Sequence, residues 1–379
     1  MLLPTPSRFF RRRRRVSAAA VLAAALSAAA VVPAACRAQE PSGAAAAAPA
    51  GRPPSPIAGG RAEETLVYSG AADLRYRSAD QETRGSYLAA TRLQADWERA
   101  GLTGGFRGGA RVQLLLETDG LGTRADRLRA SEVYGFYDFA LQGVSARVKV
   151  GQFVLPFGLL AVYDWPLQPL QPLYEKALGL RVDTGIQLVG EYGPFRYAGS
   201  ITTGVGPNRS DFDANKVVTF RLARTVFTPF GPFEVGGSLM TGRGPVTTID
   251  TELPASGTSG ARRFVDKTRF AADGVYVFKP LTLRGEFVFG GDDEDAVWGY
   301  FAEADYEVTS RLSLIAFRRL CNFAQKPMSA SSTGLGADYH FGNGLRVRAL
   351  FEYQRDVPLP AGTSPLVVKR FTLQTRINF

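Results

Sequence analysis

Basic residues recur at two-residue spacing in this chain of 379 residues: Arg75 with Arg77, Arg147 with Lys149, Arg346 with Arg348. Residues two apart share a face of an extended strand, so each pair sets two cations side by side. Arg92, Arg111, Arg221, Arg284 and Arg376 occupy the polar face of other alternating stretches. Acids interleave with them: Asp73, Asp96, Glu117, Glu286, Glu303, Asp305, Asp338 and Glu352. The chemistry open to such a set is electrostatic. A mildly positive balance favours anions, and opposed rows of charge create a transverse field. The alternative is that the charges pair across neighbouring strands and merely solvate a wall.

Covalent chemistry has little to work with. His340 is the single histidine, and hydrolases built on barrels rely on a Ser–His or Asp–His arrangement. It shares a face with Asp338 beside an expected turn at Gly342, a poor position for a lipase acting at the lipid surface. Asp292, Asp293, Glu294 and Asp295 form an acidic cluster on an expected outer loop. They could hold a divalent cation through oxygen ligands or simply be solvated. There is no Gly-rich phosphate loop, zinc spacing or dinucleotide fingerprint. No cofactor or metal is implied, and no enzymatic activity is expected.

The elements that must position these charges are strands. In FTLQTRINF, Phe371, Leu373, Thr375, Ile377 and Phe379 fall on one side and Thr372, Gln374, Arg376 and Asn378 on the other. By itself this is the edge strand of a soluble β-protein or the closing strand of a membrane barrel. The same two-residue period recurs from about Thr65 onward, with Trp97, Tyr306 and Tyr353 near strand ends, where interfacial aromatic girdles lie. About sixteen strands are expected. Every other connection is short and most of these carry Gly or Pro, as at Gln142-Gly143, Gly193-Pro194 and Lys279-Pro280. Those between are mostly longer: 118–127, 206–215, 243–264, 320–331 and 356–365. Short turns on one rim and long loops on the other are the layout of an outer-membrane β-barrel, and an even strand number puts both mature termini on the short-turn, periplasmic side. A mean hydropathy of −0.06 agrees, because one face of each strand meets lipid and the other water.

The N-terminus reads as an export signal: Arg11 to Arg15, then an apolar Val16–Ala35, then small residues. Cleavage is expected after Ala38. Acylation at Cys36 and a retained helix are the alternatives. Residues 1–60 carry a net +7 of the chain's +10, so the high pI gives no reason to expect a nucleic-acid partner. Cleavage leaves Cys321 alone, without a disulfide. No other run approaches the roughly 18 apolar residues of a spanning helix, so a membrane location requires a closed barrel. The expected organisation is a signal peptide over 1–38, an Ala/Pro-rich flexible tether over 39–60 and a barrel over 61–379.

Two stretches, VKVGQFVLPFG at 148–158 and the run from Leu283 to Arg318, resemble the phosphate-selective porins of the O and P type. The resemblance covers roughly 130–160 and 215–379. It implies an exported all-β transmembrane antiparallel up-and-down barrel of sixteen strands, usually trimeric, whose third long-rim loop folds inward to narrow the channel. Here that loop runs from about Leu155 to Leu180. Pro156, Pro166, Pro169 and Pro172 stiffen it, and Leu159, Leu160, Trp165, Leu167, Leu170 and Leu173 give it apolar surface to bury against the lumen wall, a subunit contact or an outer lid. Pro156, Phe157, Asp164, Trp165, Glu175 and Lys176 are the expected constriction residues. Only Lys176 is basic, which weakens the case for phosphate selectivity. Arg75, Arg77, Arg92, Arg111, Arg147, Lys149, Arg221, Arg284, Arg346 and Arg348 are the expected pore-lining cations.

The expected function is passive diffusion of small hydrophilic solutes across a bacterial outer membrane, with a mild anion preference that could extend to phosphate. The rivals are a plugged structural barrel and a barrel hydrolase. Expected partners are outer-membrane lipid and lipopolysaccharide, the barrel assembly machinery acting through Phe379, small solutes or anions, and two further copies in a homotrimer.

Overall fold

The computed structural model describes residues 64–79, 82–102, 106–117, 127–141, 144–161, 173, 180–211, 214–245, 264–323, 328–342, 344–357 and 366–379. The expected signal peptide and tether lie outside them, as do Asp164, Trp165, Glu175 and Lys176.

Sixteen antiparallel strands follow one another: β1 (Glu64–Ala79), β2 (Glu82–Leu102), β3 (Phe106–Glu117), β4 (Arg127–Leu141), β5 (Val144–Val154), β6 (Val182–Tyr192), β7 (Phe195–Thr202) and β8 (Val217–Thr228). Then come β9 (Gly231–Pro245), β10 (Phe264–Phe278), β11 (Leu281–Asp292), β12 (Asp295–Glu307), β13 (Leu312–Phe323), β14 (Met328–Gly342), β15 (Leu345–Val357) and β16 (Leu366–Asn378). Each pairs with its neighbours in sequence, and β1 pairs with β16, so the barrel is closed and presents no free edge. At the seam, Gly70 N–H donates to the Phe379 carbonyl at 2.7 Å and Phe379 N–H to the Gly70 carbonyl at 3.0 Å. The Phe379 ring lies over Gly70, where a Cβ would come within 2.4 Å of it.

Two expected loops are shorter than the sequence suggested. Residues 320–331 form a hairpin whose ladder runs out to Phe323 opposite Met328. The stretch Ser329–Ser331 reads as loop, yet a ladder satisfies its backbone, and the adjoining Ser332 bonds Glu352 on the inner face. The acidic stretch 292–295 is a tight hairpin turn rather than an outer loop.

Burial is inverted relative to a water-soluble protein. The outer wall exposes apolar side chains such as Tyr68 (73%) and Leu335 (66%), whereas Asp73 and Arg269 on the inner wall are both 0% exposed. The alternation causes this directly, since each strand sends one residue out and the next in. The outer wall of β9–β11 is rich in aromatics, with Phe233, Phe270, Phe278, Phe287 and Phe289 exposed. That of β12–β13 is not. Its outward rows run Tyr306–Leu314, Ala304–Ala316, Ala302–Arg318, Tyr300–Leu320 and Trp298–Asn322. Arg318 therefore sits in the central row, between the aromatic ends of β12. Its Nε donates to the Tyr300 hydroxyl at 2.8 Å. A lipid-facing arginine at mid-depth costs about 2–4 kcal/mol, less toward either interface.

The apolar core lies inside the barrel. The chain leaving β5 turns inward, and Leu155, Phe157 and Leu159 are fully buried in one cluster with Met240, Val288, Phe301 and Phe317 of the opposite wall.

Candidate functional site

The site is the inner wall, built from side chains that alternate with the outward apolar set. Most of its cations meet a carboxylate. Arg75 Nη2 lies 2.5 Å from Asp73 Oδ2, and Asp73 also accepts from Gln374 across the seam at 2.8 Å. Arg111 Nε is 2.6 Å from Asp96. Arg147 holds Asp138 with two bonds, 2.6 Å through Nε and 2.8 Å through Nη2. Arg284 pairs with Glu303 at 2.5 Å. Arg346 and Arg348 share Asp338, the latter at 2.7 Å. Arg221 lies between Asp273 and Glu234, at 2.5 and 3.2 Å. Arg77 and Arg92, on the same face, are also engaged. Cross-strand pairing therefore accounts for most of the arginines read from the sequence.

Lys149 differs. Among the described residues no carboxylate oxygen lies within 4.0 Å of its ammonium. The ammonium sits 4.9 Å from the centre of the Tyr134 ring instead. Beside it, Arg147 Cζ lies 3.9 Å from the Phe136 ring centre and Arg111 Cζ lies 5.9 Å from that of Tyr134. Tyr134, Phe136 and Phe153 form a buried aromatic cluster, with Tyr134 and Phe136 edge to face at 6.4 Å. A ring face attracts a cation by about 0.5–2 kcal/mol without neutralising it. The shelf thus holds Lys149 in place on the inner wall. These inner-face aromatics were not identified from the sequence, because SEVYGFYDF carries aromatics on both faces: Tyr134 and Phe136 inward, Tyr137 and Phe139 outward.

Across the lumen the third long-rim connection makes its first landing. Gly158 N–H donates to Ser238 Oγ and Leu159 N–H to Glu286 Oε1, both at 3.0 Å. A single 3₁₀ turn, Gly158–Ala161, packs there against β9, β10 and β11. Gly158 has φ +54°, and a Cβ on it would fall 1.7 Å from Glu286 Oε1. Only glycine permits this approach. Pro156 and Phe157 are buried beneath the turn, and Glu286 is covered by it, so these groups do not face open water. The GQF segment is also tied down: Gln152 Nε2 donates to the Ala130 carbonyl at 2.8 Å, and Gln152 Oε1 accepts from Asn208 N–H at 2.7 Å.

With this geometry the chain matches solved structures of outer-membrane barrels. It is similar to OmpT, an outer membrane protein of Vibrio cholerae, at a TM-score of 0.61 and 11% identity over 83% of this chain and 98% of that one. The outer membrane channel DcaP of Acinetobacter baumannii gives 0.59 and 11% over 84% and 97%. An anion-selective porin from Comamonas acidovorans gives 0.60 and 13% over 84% and 100%. The fold is that of the outer-membrane porins. No protein-family model and no curated protein sequence matches the chain.

The remaining sequence candidates fall into place around this. His340 Nε2 is 3.9 Å from Asp338 Oδ1, and Asp338 is already engaged by Arg346 and Arg348. Of the acidic turn, Asp292 points inward, 1% exposed, and binds Lys267 at 2.9 Å together with Arg269. Asp293 accepts from Asp266 N–H at 2.9 Å. The Lys267–Arg269 pair escaped the sequence reading although its spacing marked it, with Phe270 and Ala272 on the opposite face. Ser238, an uncharged inner-wall residue, carried no signal.

Proposed function

We propose that this protein is a porin of the bacterial outer membrane that passes small hydrophilic solutes by passive diffusion, with a mild anion preference. The observation that carries the reading is a closed sixteen-strand barrel, apolar outside and charged inside, whose Lys149 ammonium lies on an aromatic shelf with no carboxylate within 4.0 Å among the described residues. Sixteen strands leave room for an aqueous channel, whereas eight would be filled by side chains. The inward segment at Leu155–Leu159 narrows that channel on the β9–β11 side. The paired arginines Arg75, Arg111, Arg147, Arg284, Arg346 and Arg348 give the wall its hydration, while Lys149 supplies net positive charge. Similarity in fold to an anion-selective porin and an outer membrane channel supports the same reading. Phosphate is one anion such a channel would admit. On this proposal the mature termini are periplasmic, Phe379 is read by the assembly machinery, and the channel works as a homotrimer among lipopolysaccharide and lipid.

Single-channel recording of the refolded barrel in a planar bilayer, with the reversal potential under a KCl gradient, tests the proposal. Conductance favouring chloride is expected, and added phosphate then probes for block. Conductance favouring potassium would discard the anion preference. The apolar mass of Leu155, Phe157 and Leu159 inside the barrel favours a second reading, a plugged structural barrel. A folded barrel without conductance would select it.

A further inference from the structure

We propose that the outer wall of β13–β16 binds the phosphate groups of an outer-leaflet lipid, with Arg355 and Lys369 as headgroup contacts and Arg318 as a third cation. All three side chains point outward and are exposed. Arg355 stands opposite Val367 and Lys369 opposite Tyr353, so the two cations are diagonal neighbours on one face, about 7–8 Å apart at this spacing. Both lie at the end of the ladder next to the 358–365 connection, on the long-loop rim. Arg318 belongs to the same outward row, Arg318–Thr333–Tyr353–Lys369. Three strand spacings put it about 14 Å from Lys369, and its bond to Tyr300 draws the guanidinium one row toward that rim.

None of the three cations has a carboxylate within 4.0 Å among the described residues. Outward charges elsewhere are different. Glu64 pairs with Arg99 at 3.5 Å, Arg243 stands opposite Asp266, and Arg224 lies over Phe195 beside a short turn. The β13–β16 wall is thus a one-signed patch on a surface that meets lipid. Apolar rows lie below it, with Leu335 and Phe351 exposed, and they suit acyl chains. A second copy of this face would bring cations against cations, so the complementary occupant is an anionic headgroup. This inference rests on the outer-membrane placement proposed above but not on conduction.

The test is native mass spectrometry of the full barrel in non-ionic detergent with diphosphoryl lipid A, its dephosphorylated form, and inorganic phosphate as competitor. Wild type should retain the diphosphoryl lipid, and the dephosphorylated form should be retained about tenfold less. The variant R318Q/R355Q/K369Q should lose retention by about the same factor, while R318K/R355K/K369R should bind as wild type does. Equal retention of both lipids by wild type would overturn the proposal. So would unchanged retention by the glutamine variant, or competition by inorganic phosphate as effective as that by free lipid. Dissociation of an oligomer in the glutamine variant with lipid retention intact would instead make this face a subunit seam. Conductance of the same preparations is scored separately, so a failed porin reading and a failed lipid site are distinct results.

Discussion

On β5 the inner-wall cations lie over aromatic rings, Arg147 over Phe136 while also holding Asp138, and Lys149 over Tyr134. On β10 they are buried and face a carboxylate of β11. Arg147 and Lys149 belong to the first arc. Lys267 and Arg269, 1% and 0% exposed and both on Asp292, belong to the second. The two arcs use the same residue types at the same spacing, and what covers them decides their role. Lys149, on a ring with no carboxylate within 4.0 Å among the described residues, keeps a charge that no ion pair compensates. A cation sealed in a dry pair becomes a fastening, and its energy is tied to the partner it would lose.

The sharpest way to break this comparison is to delete one acid from each arc. Asp292→Ala strands two buried cations and should destabilise the barrel by about 3–5 kcal/mol, seen as a lower urea midpoint of the refolded protein. Asp138→Ala, where Arg147 retains the Phe136 ring, should cost clearly less. Equal losses would erase the distinction between the arcs.

The next effect is steric. Gly158→Ala drives a methyl group into Glu286 and should cost about 1–3 kcal/mol. The cheapest relief is for the inward segment to leave β9–β11, so single-channel conductance should rise. An unchanged conductance would mean that the segment does not narrow the path.

The smallest effect sharpens the comparison. Lys149→Gln removes a charge worth at most about 1 kcal/mol to a passing hydrated anion, at most about a fivefold change in permeability ratio, and should shift the reversal potential away from chloride. It is cleaner than replacing Arg147, whose loss would leave Asp138 uncompensated and add a negative charge of its own. No shift would assign the anion preference elsewhere.

The strands and rims were legible in the sequence because a two-residue period and turn residues are local signals. Register is not local. That Arg147 meets Asp138, or that Arg346 and Arg348 share Asp338, depends on which strands pair and at what offset, so pairing stood only as an alternative to free charge. The third loop announced that it needed an apolar surface but not which wall would supply it. Gly158 carried no mark of its own, since its role depends on Glu286, 128 positions away in the chain. Arg318 sat within an alternating stretch that read as an ordinary strand. Its oddity exists only once inside and outside are assigned.

The Gly70–Phe379 contact bears on how the barrel is made. Fifteen of the sixteen ladders join neighbours in sequence, whereas the seam joins residues some 300 positions apart, Asp73 and Gln374 being separated by 301. Loop-closure entropy rises only by about 0.6 kcal/mol for each doubling of length, so closing the seam is not thermodynamically prohibitive. It is slow, because contacts of high sequence separation form late. Until it forms, the protein is an open sheet with two raw edges, each a template for a stray strand. The aromatic ring seated over Gly70 is the latch that ends this vulnerable interval.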